Sequence, residues 1–412
     1  MKNKVLILIV SLVVLFSTVL WAGGKQEAPA EEEPVVVEEA AEEPGGVVVD
    51  TWEIPFMNVL TGPIASIGEY LQWGAERAAW EINQAGGIAG KPVKIIKIDT
   101  GMSPEKGSVE MAKIVEKDYL TVLGPVPEPV IMAACPIAME NKIMAFTATT
   151  SYEYAVQFFP WSISWFAKTE DKLPPIVTRW AQKNPDMKKV VQFVENYGVW
   201  KGMADAHTIG LEKAGVEVLD DVDVPLDAVT FGPLIVKALA QDPDGIIFAC
   251  NAEKVAKIII ELKNRGWEDM SKLLVFSSAD DAALYTTGGS NINGINIYNY
   301  VDPNLDTKRW QDFRQAFKDD HDGIEPFSLS PNYYDAVYMV KEAIEQTGIT
   351  GDPKKLMEER KMLADYCRDI RDFKGLFFNW TNKGGVPTDK PVYLFEIQDG
   401  KKVYLDMVKG SD

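Results

Sequence analysis

One stretch limits what this chain can fold into: Leu60 to Asp99, LTGPIASIGEYLQWGAERAAWEINQAGGIAGKPVKIIKID. Gly62-Pro63 closes a strand that begins near Trp52, and Gly68 ends the loop that follows. From Glu69 the apolar residues Leu71, Ala75, Ala78, Ala79 and Ile82 recur at helical spacing. Gly86-Gly87 stops that helix, because glycine enters the left-handed region without a Cβ clash. Pro92 to Ile98 then reads as a second strand with partial alternation. Strand, helix and strand make a β-α-β unit, with the loop from Leu60 to Gly68 at the carboxyl end of its first strand. Open α/β sheets hold small ligands at that edge. The expectation is a chain that binds a small molecule there and catalyses nothing.

The same alternation continues. Leu120 to Leu123, Ile143 to Phe146, Lys189 to Val194, Gly245 to Cys250 and Leu273 to Phe276 read as strands. Val130 to Met139, Leu173 to Lys183, Tyr197 to Ala214, Phe231 to Leu239 and Ala252 to Arg265 read as helices between them, with Val216 to Val224 extended. Pro331 to Gln346 is one more amphipathic helix. Regular alternation of this kind predicts parallel sheets covered by helices on both faces, and 412 residues suffice for two of them. The ending is different: Val392 to Ile397 and Lys402 to Leu405 flank Gln398-Asp399-Gly400-Lys401, an Asp-Gly turn that predicts a β-hairpin.

The amino terminus precedes this pattern. Lys2 and Lys4 stand ahead of the apolar run Val5 to Leu20, which closes on Leu20-Trp21-Ala22, the layout of a secretory signal over residues 1–22. An uncleaved membrane anchor is the alternative, although the run is short for a spanning helix. No cysteine lies near that site to take a lipid. Residues 23–46 are acidic and broken by proline, with eight glutamates against one lysine, and predict a solvated tether.

Composition removes several classes of function. A net charge of −19 argues against nucleic acid, whose phosphates demand a basic surface. Three cysteines, Cys135, Cys250 and Cys367, allow at most one disulfide, and buried free thiols are expected. His207 and His321 lie far apart in polar, helix-like contexts and make no metal-spaced pair. Gly87 to Pro92, GIAGKP, lacks the hydroxyl residue of a phosphate loop and precedes a strand rather than a helix. There is no G-x-S-x-G elbow and no dinucleotide fingerprint after a strand. No cofactor and no metal are expected.

Several of these residues resemble a known family. Gly62-Pro63, Gly68, Gly74-Ala75-Glu76, Ile82-Asn83 and Gly86-Gly87-Ile88 with Gly90 resemble the opening of the leucine/isoleucine/valine-binding protein family, the type I periplasmic solute-binding proteins of ABC transporters. The resemblance continues through Val122-Leu123-Gly124, Ala148 to Ser151, Glu195 to Gly198, Asp244 to Phe248 and Gly294. It implies an α/β fold of two Rossmann-like lobes with parallel sheets, joined by a three-segment hinge around a ligand cleft. The first lobe would take residues 47–168 and 300–378, the second 169–299 and 379–412. It also implies an ABC permease as partner, a monomer, and a place outside the inner membrane. A ligand-sensing receptor module on the same fold and an α/β hydrolase are the alternatives.

Carried over by position, the resemblance implies that Thr149, Thr150 and Ser151 hold a ligand carboxylate with backbone N–H and hydroxyl groups. A turn whose hydroxyls bond their own backbone is the plainer reading of that loop. Tyr197 would close over the ligand from the second lobe, Asn251 would add a contact, and Asp280, or Asp281 one residue on, would receive an ammonium group. Tyr300 completes the set. The chain departs from the pattern at Pro125-Val126-Pro127-Glu128-Pro129, where amino-acid binders carry serines. An ionised Glu128 would repel a ligand carboxylate, so it either turns outward or meets a cation or donor on the ligand. Tyr152, Trp161, Trp165 and Phe166 offer aromatic faces nearby, with Trp165 where the first crossing segment should run.

Overall fold

The structure, a computed structural model, describes residues 46–62, 64–148, 157–164, 169–196, 198–326 and 328–409. The signal segment, most of the acidic tether, the loop holding Thr149 to Ser151, Trp165 and Tyr197 lie outside the described residues.

The first sheet has the order β2-β1-β3-β4-β5 and is parallel throughout. Its strands are β1 (Trp52–Asn58), β2 (Val93–Asp99), β3 (Thr121–Leu123), β4 (Met144–Thr147) and β5 (Ser162–Ser164). Successive side chains leave opposite faces of a strand, so the sheet builds two cores. Ile54, Phe56, Leu123 and Phe146 pack with Leu71, Ala75 and Ala78 of α1 (Ala65–Gln84) on one side. Met57, Val122 and Ala145 face the other, under α2 (Pro104–Glu116) and α3 (Glu128–Glu140). Each large apolar side chain so buried contributes roughly 1.5–3 kcal/mol.

Gly68 does not end the loop; it lies inside the first turns of α1. A Cβ there would stand 1.7 Å from the Val59 carbonyl oxygen, so glycine is required by the close approach of helix to strand end. Asn58 secures the contact by donating to the Gly68 carbonyl at 2.7 Å. The stop at Gly86-Gly87 is as expected, with φ of 103° and 84°.

The second sheet runs β17-β16-β11-β10-β9-β6-β7, with β8 also paired to β6. It comprises β6 (Lys189–Glu195), β7 (Glu217–Val218), β8 (Val222–Val224), β9 (Gly245–Ala249), β10 (Leu273–Val275) and β11 (Asn296–Asn299). Beyond the short ribbons β12 (Phe373–Lys374) with β13 (Asn379–Trp380) and β14 (Asn382–Lys383) with β15 (Val386–Pro387) comes the closing hairpin, β16 (Val392–Gln398) and β17 (Lys401–Val408). The hairpin is antiparallel to β11, so this sheet is mixed rather than purely parallel. Asp399 and Gly400 both have positive φ, as a tight two-residue turn requires. Helices α4 (Thr169–Lys183), α5 (Gly198–Lys213), α6 (Gly232–Leu239), α7 (Ala252–Asn264) and α8 (Ala282–Gly288) surround the second sheet.

After β11 the chain returns to the first core. Trp310, Phe313 and Phe317 of α9 (Lys308–Asp320), Val337 and Val340 of α10 (Ser330–Thr347), and Leu363 of α11 (Leu356–Arg368) all pack there. Two lobes result, with the chain passing between them. All three cysteines are buried free thiols, as expected. His207, in its polar, helix-like sequence context, is fully buried. Among the described residues no helix is long and apolar enough to cross a membrane.

Candidate functional site

The carboxyl ends of the parallel strands carry the polar groups of interest. At the end of β2, Asp99 accepts from the backbone N–H groups of Leu60 (2.8 Å), Thr61 (3.2 Å) and Gly101 (3.0 Å), and from the Thr61 hydroxyl (2.6 Å). Partial burial opposes its charge, but these donors and Lys106 outweigh it and lower its pKa to about 2. The loop after β1 is thereby pinned to the end of β2. At the end of β3, Gly124 has φ of 78°, and a Cβ would lie 2.2 Å from the Met57 carbonyl oxygen. The proline-rich loop leads from there into α3.

Glu128 is the first residue of α3, half-buried, where the positive end of the helix dipole favours its charge. Ala148 lies one residue past β4 and packs against the cores of both lobes, as does Leu329. The carboxyl edge of the first sheet therefore faces the second lobe.

Across from it, Asn251 caps α7 by accepting from the Lys254 N–H at 3.2 Å. Its amide donates at 3.1 Å to Glu195, which ends β6, and its own backbone N–H donates to the same carboxylate at 2.8 Å. Asp280 follows β10 and is buried. Its carboxylate takes the Lys402 ammonium, the Asn299 amide and, at 2.6 Å, the Tyr285 hydroxyl. Asp281 caps α8 through the Ala283 N–H at 2.9 Å, and burial raises its pKa with help from Asp280.

Tyr300 is fully buried where the chain leaves β11. Its ring forms one wall of an aromatic cage around Lys390 Nζ, 5.1 Å from Tyr300, 5.5 Å from Trp380 and 5.7 Å from both Phe377 and Phe378. Lys390 also donates to Asn332 at 3.2 Å. Burial lowers its pKa to about 7, with Asp335 opposing the shift. Asp335, which accepts from Trp380 Nε1 at 3.0 Å, is pushed up by burial to about 7.

No cluster of His, Cys, Asp and Glu able to hold a metal occurs among the described residues. Comparison with known proteins then decides the family. The periplasmic binding protein family model matches residues 51–402. The chain belongs to that family. It is a solute-binding protein and not an enzyme.

This binding protein is 26% identical over 298 residues to a Leu/Ile/Val-binding protein homolog of Brucella melitensis, covering 71% of this chain and 78% of the relative. Its fold matches the branched-chain amino acid transporter substrate-binding protein LivJ of Streptococcus pneumoniae, solved with isoleucine. The TM-score is 0.73 at 18% identity, covering 87% of this chain and 99% of the other. It matches equally a solute-binding protein of an ABC transporter from R. palustris, solved with benzoate. There the TM-score is 0.73 at 20% identity, covering 87% and 96%.

Sequence reasoning did not find the three lysines of this binding protein that organise the region. Lys254 lies 59 residues from Glu195, and Lys402 lies 122 residues from Asp280. Neither pair leaves a local pattern. Lys390 sits in Thr388-Asp389-Lys390-Pro391, which reads as an exposed turn.

Proposed function

We propose that this protein captures a small amino-acid-like or related organic solute between its two lobes, outside the inner membrane, and hands it to the permease of an ABC transporter. Residues 1–22 serve as the export signal, 23–46 as the tether, and the mature chain works as a monomer. The lobes are 47–168 with 300–378 and 169–299 with 379–412. The contact of Ala148 with both cores carries this reading, because it sets the ligand edge of one sheet against the other lobe. A solute held there touches both halves, and closure around it removes it from water. Thr149, Thr150, Ser151 and Glu128 contribute from the first lobe, Trp165 from the hinge, and Tyr197, Asn251, Asp280 and Tyr300 from the second lobe and its exit.

The test is a thermal-shift panel on the mature chain. A solute at a hundred times its dissociation constant adds about 2.7 kcal/mol to stability. Tyr197→Ala and Trp165→Ala each abolish that shift while the unliganded fold stays intact. Wild-type shifts in both variants would overturn the cleft assignment.

A further inference from the structure

Helix α6, GPLIVKAL, is apolar on both of its faces. Ile235 and Ala238, with Phe231 one turn before them, are buried in the core of the second lobe. On the opposite face Pro233 and Val236 stand three residues apart, and both are exposed. The loop entering the helix adds Leu226 and Val229. Val229 is 79% exposed, Leu226 59% and Val236 53%. A helix that is apolar all round is ordinarily covered all round, and here the chain covers one side only. Lys237, its one charged residue, donates to the Asp221 carbonyl at 3.2 Å. The loop is also held in place. Lys254 Nζ, paired with Glu195, donates to the carbonyls of Pro225 (2.9 Å) and Leu226 (2.8 Å). The exposed side chains therefore project from a fixed backbone at the carboxyl edge of the second sheet. A surface ordered in advance loses less freedom when a partner settles on it.

We propose that Leu226, Val229, Pro233 and Val236 form a docking surface for the extracytoplasmic face of the ABC permease. This rests on the delivery reading above and deepens it. A second copy of the chain is the wrong occupant. In a two-fold contact the same patch meets itself, so the exposed Asp223 and Asp227 of this segment would meet their own copies. Like charges set against one another in an interface are unfavourable. The matching surface is an apolar socket with a basic rim. A helix face about 12 Å long is small beside the roughly 800 Å² per partner of a stable complex. The contact is one that releases, as a carrier must after each delivery.

Photo-crosslinking of the full chain in its native host tests this, with adducts identified by mass spectrometry. The photoreactive residue p-benzoylphenylalanine is placed in turn at Leu226, Val229 and Val236. Control positions are Trp80, Met357 and Tyr404, which are also exposed, at 53%, 49% and 50%. The first three positions are expected to give adducts with an ABC permease subunit, and the controls none. Permease adducts from the controls alone, or in equal yield from both sets, overturn the inference and leave the delivery reading standing. Adducts from the first set only with another copy of the chain, or with some other protein, overturn it too. No permease adduct from any of the six overturns the inference and the delivery reading together. A second measurement separates docking from folding. With the crosslinker kept at Leu226, Val229→Ser combined with Val236→Ser lowers the permease adduct at least about fivefold. The melting temperature stays unchanged, because both side chains already face solvent. An adduct yield equal to that of the parent chain overturns the proposal.

Discussion

Lys254 Nζ lies 2.6 Å from Glu195 Oε1, and both side chains are almost entirely withdrawn from solvent. The same ammonium donates to the carbonyls of Pro225 (2.9 Å) and Leu226 (2.8 Å). One cation therefore joins the end of β6, the start of α7 and the loop that follows β8. The end of β6, the loop after β8 and the first turn of α7 are thus tied together by one buried group.

Removing that cation alone strands Glu195 in a dry site. Lys254→Met is expected to cost about 3–5 kcal/mol of unfolding free energy. Glu195→Gln combined with Lys254→Met costs less than the lysine change alone, since no charge is then left unpaired. Urea unfolding of the two singles and the double checks this. A double variant weaker than Lys254→Met would contradict the account.

His207 gives the second lobe a dependence on pH. Gln192 donates its amide hydrogens to Ala204 and Thr208, so its Oε1 must accept from His207 Nδ1, 3.1 Å away. Nε2 then accepts from the Tyr298 hydroxyl at 2.7 Å. Burial disfavours the imidazolium and lowers the pKa from 6.5 to about 3. The unfolded chain binds this proton more readily, so the contribution is fully present above pH 6.5 and is lost as pH falls toward 3. The loss on reaching pH 5 is on the order of 2 kcal/mol. Urea midpoints across that range should fall with acidity in the wild type and fall less in His207→Gln.

Much of this architecture was legible because its signals are local. The helix stop at Gly86-Gly87 and the turn at Asp399-Gly400 are backbone requirements that only certain residues meet. Gly68 was misread for the same reason: a glycine beside a loop resembles a terminator, and its contact with Val59 is tertiary. Helix α9 was missed although Trp310, Phe313 and Phe317 stand at helical spacing, because charged residues dominate the intervening positions. The site was less legible. Asp280 could be placed near the cleft by resemblance, but nothing local announces that Lys402 occupies its carboxylate from the far end of the chain. Buried ion pairs are properties of the assembled fold.

Asp99 predicts the opposite residue type with the same sign. Its pKa is lowered to about 2, so its stabilisation is present above the ordinary carboxylate value of 3.8 and is lost as pH falls from there. Asp99→Asn loses charge-assisted bonds from Leu60, Thr61 and Gly101 and costs about 1–3 kcal/mol near neutrality. The gap between variant and wild type narrows as pH drops from about 4 toward 2. A gap that stays constant over that range would show that Asp99 holds the loop by shape rather than charge.

Gly124 is a demanding position at the carboxyl edge of the first sheet. It ends β3 with φ of 78°, and its N–H donates to the Phe146 carbonyl at 2.8 Å, so the backbone there cannot rotate without breaking the sheet. An added Cβ would meet the Met57 carbonyl oxygen at 2.2 Å, a backbone atom fixed in β1. Gly124→Ala therefore combines left-handed strain, about 1–2 kcal/mol for a residue with a Cβ, with a clash that only separation of β1 from β3 relieves. The expected outcome is a large fall in melting temperature together with loss of the solute-induced shift, since α3 and Glu128 follow directly from this turn. Gly62→Ala is the control: it also has positive φ, at 97°, but nothing lies within 4 Å of its Cβ position. It should lose only the strain contribution. Equal losses in the two variants would show that the contact with Met57 does not matter.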